Sequence, residues 1–477
     1  MELLIGRIAE RKILEEVLES PSSELLAIFG RRRVGKTFLI RSFFKKQLIF
    51  ELSGVHNANA TEQLLNFSRA MAEALGSRLA PATPKNWTEA FWQLREFATP
   101  ILKKRKAVIF FDEFPWLSSH KSGFLSAFEY FWNQWASQQP NLIVAICGSA
   151  ATWMIKKVVN SKGGLHNRLT RKIRLLPFTL HETELYLKKN NIYLDRYQVL
   201  NIFMVMGGVP HYLKELKKGE SAIQAIDRLC FTKDGLLSTE FVNLYRSLFE
   251  AADRHIAVVK ALADKPSGLT RNEIIAACNL KSGGTTSILL EELVESGFIT
   301  PYLPLHKNAN KSIYKLSDEY SLFYLKFIEH SRSTGAGTWL KKSSTSSWKS
   351  WSGYAFEGIC MKHLSNIKQA LGIAGVFTET SAWRHAPKMG NGAQIDLLLD
   401  RQDNVISVCE MKFSNTEFAI DKAYAAELQY KLDAFRRESK TKKTLFLAMV
   451  TTYGIKTNMY ATGLVQNEVT IDDLFNF

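Results

Sequence analysis

Strand-length apolar runs alternate with helix-period stretches through most of this chain. Leu25–Phe29, Ala107–Phe111 and Leu142–Cys147 are uninterrupted apolar runs, the pattern of strands buried on both faces. Leu48–Gly54 reads as a further strand. Between them, Leu64, Leu65, Phe67, Met71 and Leu75 recur at helical spacing, and Trp87–Phe97 gives another amphipathic helix. A helix from Gly6 to about Leu18 opens the chain. Leu185–Leu213 is helical until Met206-Gly207-Gly208-Val209-Pro210, where two glycines and a proline set a sharp turn. Arg254–Ala263, a short segment ending at Cys278, and Thr285–Ser296 follow as helices. Thr270 is placed as an N-cap with Glu273 at the capping-box position, and Gly297 stops the third helix. Phe298-Ile299 and Ile313–Leu316 predict a β-ribbon. Later, Gln394–Leu399 and Val405–Phe413 form two strands about the Asp400–Asn404 turn, between helices at Trp351–Asn366 and Ala419–Phe435. The fold class is α/β.

Candidate chemistry enters after the first apolar run. Gly30-Arg31-Arg32-Arg33-Val34-Gly35-Lys36-Thr37 reads Gly-x4-Gly-Lys-Thr, a phosphate-binding P-loop. A strand precedes it and a helix beginning near Phe38 follows it. That turn aims backbone N–H groups and a positive helix end at an anion. Gly30 to Phe38 is therefore expected to hold ATP, with Lys36 on the β- and γ-phosphates and Thr37 on Mg²⁺. About 70 residues further on, the apolar strand ends in Asp112-Glu113. Asp112 is placed to hold the Mg²⁺ shell, and Glu113 to polarise the attacking water. Two readings of Ser149, at the end of the next strand, stand side by side: γ-phosphate sensor or plain strand terminus. Arg168 and Arg171 follow a glycine-containing loop. Either is a transition-state arginine or part of a solvated basic surface.

Gly6-Arg7…Glu10, the P-loop, Asp112-Glu113, Gly148-Ser149 and Gly207-Gly208-Val209-Pro210 occur in one order. This set resembles the AAA-related, STAND-like prokaryotic ATPases, the archaeal ATPase group, over roughly the first half of the chain. The resemblance implies an additional-strand ATPase sheet in a three-layer α/β/α domain, followed by a helical lid. It also implies that Gly6 and Arg7 pack beside the adenine and that Pro210 contacts the nucleotide, unless that turn is only a hinge.

Two helices, a turn and a basic hairpin carrying Lys307 and Lys311 make the pattern of a winged helix. Thr285, Thr286 and Ser287 begin its second helix, but Glu291, Glu292 and Glu295 make the rest acidic. DNA contact and a packing role are both open. Ser331–Ser350, rich in Ser, Thr, Gly and Lys, reads as a linker, with Lys341, Lys342 and Lys349 able to track a nucleic-acid backbone. In the last region, Asp396, Glu410 and Lys412 fall on the two strands. Alternation puts Glu410 and Lys412 on one face, beside Asp396. Two carboxylates so close favour a cation between them, and a lysine beside them can orient water. This set resembles the PD-(D/E)XK nuclease fold, an α/β restriction-endonuclease-like domain, with Glu357 matching the acid on its first helix. Mg²⁺ or Mn²⁺ at Glu357, Asp396 and Glu410 is implied. A structural Glu–Lys pair is the alternative. The expected domains are then residues 1–180 (ATPase), 181–245 (lid), 246–330 (winged helix), 331–350 (linker) and 351–477 (nuclease-like).

Length agrees, since 477 residues suggest about three domains. Lysine and arginine exceed aspartate and glutamate by 62 to 46, a net charge of +16 that favours a polyanionic partner such as DNA. Cys147, Cys230, Cys278, Cys360 and Cys409 lack any CxxC spacing and read as reduced cysteines of a cytoplasmic protein. No apolar run is long enough for a membrane span, so no membrane partner is expected. The functional expectation is an ATP-hydrolysing switch controlling a metal-dependent nuclease-like, DNA-binding domain. A non-cleaving regulator that binds DNA or protein is the alternative, and a homo-oligomer is compatible with either. A helicase motor ranks last because no further helicase motif is present.

Overall fold

The structure is a computed structural model that describes residues 4–119, 121–149, 151–159, 167–303, 312–331, 335–385 and 392–476. Its contacts divide it into two compact units.

The first unit comprises residues 1–177, 248–250 and 291–297. Strands β1 (Glu24–Phe29), β2 (Leu48–Ser53), β3 (Ala107–Asp112), β4 (Leu142–Gly148) and β5 (Arg171–Arg174) form a parallel sheet in the order β2-β3-β4-β1-β5. The additional strand β4 thus lies between the P-loop strand and the strand ending in Asp112. Side chains alternate, so β1 feeds two cores. Leu25, Ala27 and Phe29 join one face, with Phe91, Phe111, Phe114, Phe124 and Phe128. Leu26 and Ile28 join the other, under the Lys36–Phe43 helix. Burial on both faces is why these strands read as unbroken apolar runs.

The second unit comprises residues 178–247, 251–290 and 298–477. Helices run from Leu180 to Lys189, Arg196 to Met206, Ala222 to Phe231, Leu236 to Arg246 and Ala252 to Ala263. Thr270 caps the Arg271–Ala277 helix, and its box with Glu273 is complete. Strands β6 (Leu269–Thr270), β7 (Ile299–Tyr302) and β8 (Ile313–Leu316) form an antiparallel sheet in the order β6-β8-β7. Lys307 and Lys311 lie outside the described residues.

The serine-rich stretch expected as a linker is instead helical over Thr338–Lys342 and from Ser346 into the Ser346–Lys362 helix. The reason is its tryptophans. Trp339 stacks on Phe231 and meets Phe323, Phe327 and Trp348, and Trp339, Trp348 and Trp351 are buried. The Asp227 carboxylate anchors the segment by accepting from the Gly337 and Trp339 amides at 2.7 and 2.6 Å.

Strands β9 (Thr378–His385), β10 (Ala393–Arg401), β11 (Val405–Lys412), β12 (Thr444–Thr451) and β13 (Asn467–Val469) form a mixed sheet in the order β13-β12-β11-β10-β9. The β10–β11 pair is the expected hairpin, while β12 adds to β11 in parallel. A register shift between Ile395 and Leu398 resets the alternation beside Asp396. Ile395 and Leu398 then share a core with Leu428 and Phe435 of the Lys422–Ser439 helix.

Candidate functional site

In the first unit the P-loop turns where its backbone has left-handed freedom. Gly30 has φ +146° and Gly35 +92°, and a Cβ on Gly30 would stand 2.3 Å from the Leu175 carbonyl oxygen. Arg33 also has positive φ. The loop closes around Lys36, whose Nζ donates to the Gly30 and Arg31 carbonyls at 2.9 Å each. Burial holds the Lys36 ammonium below its usual pKa, although the Glu113 and Asp112 carboxylates pull the other way. A buried cation ringed by backbone carbonyls at a helix N-terminus suits a phosphate that would replace those carbonyls.

Asp112 connects loop and sheet. Thr37 Oγ1 donates to its Oδ2 at 2.8 Å. Its Oδ1 accepts from the Glu113 amide at 2.9 Å and from the Cys147 thiol at 2.6 Å. Burial, then the Asp112 charge, pushes the Cys147 thiol well up, so it stays a donor. Cys147, read from the sequence only as a reduced cysteine, therefore also holds the Asp112 carboxylate. Only its place on the adjacent strand reveals the contact. Glu113 adopts left-handed backbone at φ 44°, and its Oε2 accepts from Ser149 N at 3.1 Å and Ser149 Oγ at 2.9 Å. Ser149 thus holds Glu113 and is not merely a strand terminus.

Other predicted residues fall as follows. Gly6 and Arg7 take left-handed backbone. Arg7 donates to the Leu176 carbonyl at 2.7 Å and the Val34 carbonyl at 3.1 Å, bracing the loop rather than presenting its guanidinium to solvent. Val34 has its side chain in the core, and with its carbonyl taken by Arg7 it would meet a ligand through its amide N–H. Arg31 is buried, Arg32 lies over the Trp116 ring at 5.6 Å, and Phe38 is exposed on the first helical turn. Arg168 is exposed in a turn. Arg171 pairs with Leu26 at the start of β5, about 10 Å along the strand from Phe29, so the register sets it away from the P-loop end of β1. In the second unit, Pro210 starts a four-residue helix after the Gly207-Gly208 turn. A Cβ on Gly208 would stand 1.9 Å from the Phe178 carbonyl oxygen, so that turn admits only glycine there.

A separate cluster of charged groups lies at the C-terminal sheet. Glu357 and Asp396 line one cavity with Tyr302, Lys315 and Met411. Asp396 Oδ2 accepts from the Met411 amide at 3.1 Å. Burial, then the Glu410 charge, pushes the Asp396 carboxyl up to about 6. Burial, then Asp396, pushes Glu357 up to about 8. Buried Glu410 turns its Oε1 to Lys412 at 3.0 Å, Lys431 at 2.8 Å and the Tyr424 hydroxyl at 3.1 Å. Lys431 and Tyr424 escaped the sequence reading. Lys431 lies on the following helix, which carries no clear motif in the sequence, and it also pairs with Glu427 at 3.2 Å. Among the described residues no group of three or more His, Cys, Asp or Glu side chains is gathered closely enough to hold a metal ion. The expected set Glu357, Asp396 and Glu410 is therefore not assembled as a three-carboxylate metal site in this arrangement, because Glu410 is held by its two lysines.

Comparison with known proteins bears on the first region. A family described as an ATPase domain predominantly from Archaea matches residues 4–216. An uncharacterized protein of Methanocaldococcus jannaschii is 24% identical over 421 residues, 87% of this chain and 88% of that protein. The Walker-type ATPase of Pyrococcus abyssi superposes with a TM-score of 0.51 at 18% identity, over 68% of this chain and 96% of its own. The ORC2 protein of Aeropyrum pernix aligns at a TM-score of 0.39 and 15% identity, over 68% and 94%. Residues 4–216 are thus similar to an ATPase domain predominantly from Archaea, and the P-loop, Asp112 and Glu113 all fall within them. Among the described residues no helix is long and apolar enough to cross a membrane.

Proposed function

We propose that this protein is an ATP-binding and ATP-hydrolysing switch coupled to a nuclease-like, DNA-binding C-terminal region. The observation that carries the ATPase half is the Thr37–Asp112 hydrogen bond, with Glu113 held next to it by Ser149. Thr37 and Asp112 would hold Mg²⁺, which neutralises phosphate charge when bound. Lys36 would exchange its loop carbonyls for the β- and γ-phosphates. Glu113 would leave one Ser149 donor to accept the proton of the attacking water, and Ser149 would then be free to sense the γ-phosphate. Arg168 is the remaining candidate for a charge-stabilising arginine, in cis or from a second copy. Gly6 and Arg7 complete the proposed nucleotide contacts within the first unit.

In the C-terminal region, Asp396, Glu410 and Lys412 on a strand–turn–strand unit, with Glu357 on a helix, support the PD-(D/E)XK-like reading. The three-stranded sheet with its capped helices supports a winged helix over residues 246–330. The chain's positive charge supports DNA as partner. As arranged, these carboxylates do not fit a three-acid Mg²⁺ or Mn²⁺ site, so we route no step through a metal there. The convergence of Lys412, Lys431 and Tyr424 on Glu410 favours a second reading: a regulator that binds DNA or a protein and cuts nothing. Wild type and Asp396→Ala are incubated with plasmid or linear DNA, ATP and Mn²⁺. Cleavage by the wild type alone supports the first reading. Equal cleavage, or none by either, leaves the second.

A further inference from the structure

The cavity holding Glu357 and Asp396 is roofed by a different part of the second unit. Tyr302 on β7 and Lys315, Leu316 and Ser317 on and just after β8 line it. Lys315 Nζ stands 5.4 Å from the centroid of the Tyr302 ring, so the two long side chains pack on each other. Lys315 also attracts the Glu357 carboxylate. The space enclosed is about 30 Å³. That admits about two water molecules, whereas pockets that take even a small ligand span roughly 300–1,000 Å³. A phosphodiester with its flanking sugars does not fit beneath this roof.

The roof is fastened at its base. The Ser317 and Asp318 amides donate to the Phe298 carbonyl at 2.8 and 3.2 Å, which closes the hairpin neck. Immediately after it, the Glu319 carboxylate accepts from Lys362 Nζ at 2.6 Å. Lys362 belongs to the same helix as Glu357, so this pair ties the roof to the floor. Glu319 is 7% exposed and Lys362 35%, so the carboxylate is withdrawn from water while solvent still reaches the ammonium. The Gly207 turn closes against the same carboxylate, since a Cβ there would stand 2.9 Å from Glu319 Oε2.

We propose that strands β7 and β8 form an autoinhibitory cover over the Glu357–Asp396 cavity, latched by the Glu319–Lys362 ion pair, which keeps nucleic-acid phosphate from the carboxylates. Its purpose rests on the nuclease-like reading given above, but its geometry does not.

The test uses the full chain without ATP, so that opening is read separately from chemistry. Gly358 lines the cavity and has open space where a Cβ would stand. Gly358→Cys, in a Cys278→Ser background, is therefore the reporter, and a thiol reagent is the probe. Labelling should be slow in that background and at least tenfold faster when Lys362→Met or the pair Tyr302→Ala and Lys315→Ala is added. Lys362→Arg should keep it slow, and unchanged thermal melting excludes unfolding as the cause. Labelling at the rate of an exposed thiol with the cover intact, or no acceleration on breaking latch and roof, overturns the proposal. DNA cleavage with Mn²⁺ by the same variants is scored separately. Acceleration of labelling without DNA binding or cleavage upholds the cover and removes the nuclease-like reading instead.

Discussion

Glu113→Gln separates the proposed chemistry of the ATPase site from its architecture. Glutamine keeps the length of the side chain and one oxygen acceptor. Both Ser149 donors, at 3.1 and 2.9 Å, therefore retain a partner. The left-handed backbone at residue 113 is equally unaffected. What is lost is the negative charge that accepts a proton. Loss of a positioned general base lowers turnover by roughly 10²–10⁴-fold, about 3–5 kcal/mol of barrier. Nucleotide affinity should stay within about threefold, because no phosphate contact is assigned to this residue. Glu113→Ala is the control. It strips both Ser149 hydrogen bonds from a charged acceptor, each worth about 1.5–3 kcal/mol, and should lower the melting temperature as well as turnover. The assay is single-turnover ATP hydrolysis alongside binding of a fluorescent ATP analogue and thermal melting. Near wild-type turnover in Glu113→Gln, with binding intact, would refute the role. A melting loss equal to that of the alanine variant would refute the geometry.

Gly30→Ala should abolish nucleotide binding and destabilise the first unit by roughly 1–3 kcal/mol each from backbone strain and overpacking, because its Cβ meets the Leu175 carbonyl; wild-type binding in a filter assay would contradict this. Glu357, pushed up to about 8 by burial and Asp396, holds its proton more tightly in the folded chain than in the unfolded one. Stability is therefore full below the ordinary glutamate range and falls as pH rises towards 8. In chelator, Glu357→Gln should gain on the wild type in melting temperature between pH 5 and pH 8.5, and a constant gap would disprove it. His363 behaves oppositely. Burial lowers it to about 4, while its Nε2 accepts from the Leu180 amide at 3.1 Å and its Nδ1–H donates to the Ile359 carbonyl at 2.8 Å. Its stabilisation is complete above pH 6.5 and is lost as pH falls towards 4, so His363→Gln should blunt acid unfolding in that window.

How far the sequence could be read depended on whether the deciding contact was local. The P-loop, the Asp112-Glu113 strand end and the Thr270–Glu273 capping box are local, and each lies where its residues predicted. The hairpin of β10 and β11 was legible because its turn chemistry and alternation are also local. Strands β5, β9, β12 and β13 were not, since their identity comes from partners far along the chain. Burial of Glu410 shows the same limit. Alternation placed it on a face, but the docking of the Lys422–Ser439 helix delivers Lys431 and Tyr424 to it. Serine and lysine suggested a flexible tether at 331–350, yet composition cannot show that Asp227 and Phe231 await that segment.

That segment governs how the molecule can be dissected. A fragment cut to begin at Trp351 would leave Trp339 and Trp348 behind. It would separate Trp351 from Phe323 and Phe327, which it meets at 5.6 and 5.4 Å. The truncated surface would be a greasy aromatic scar of the kind that drives aggregation. A fragment beginning near Phe178, where the second unit starts, keeps those rings together. The seam suited to scissors lies well before the stretch that looked like string.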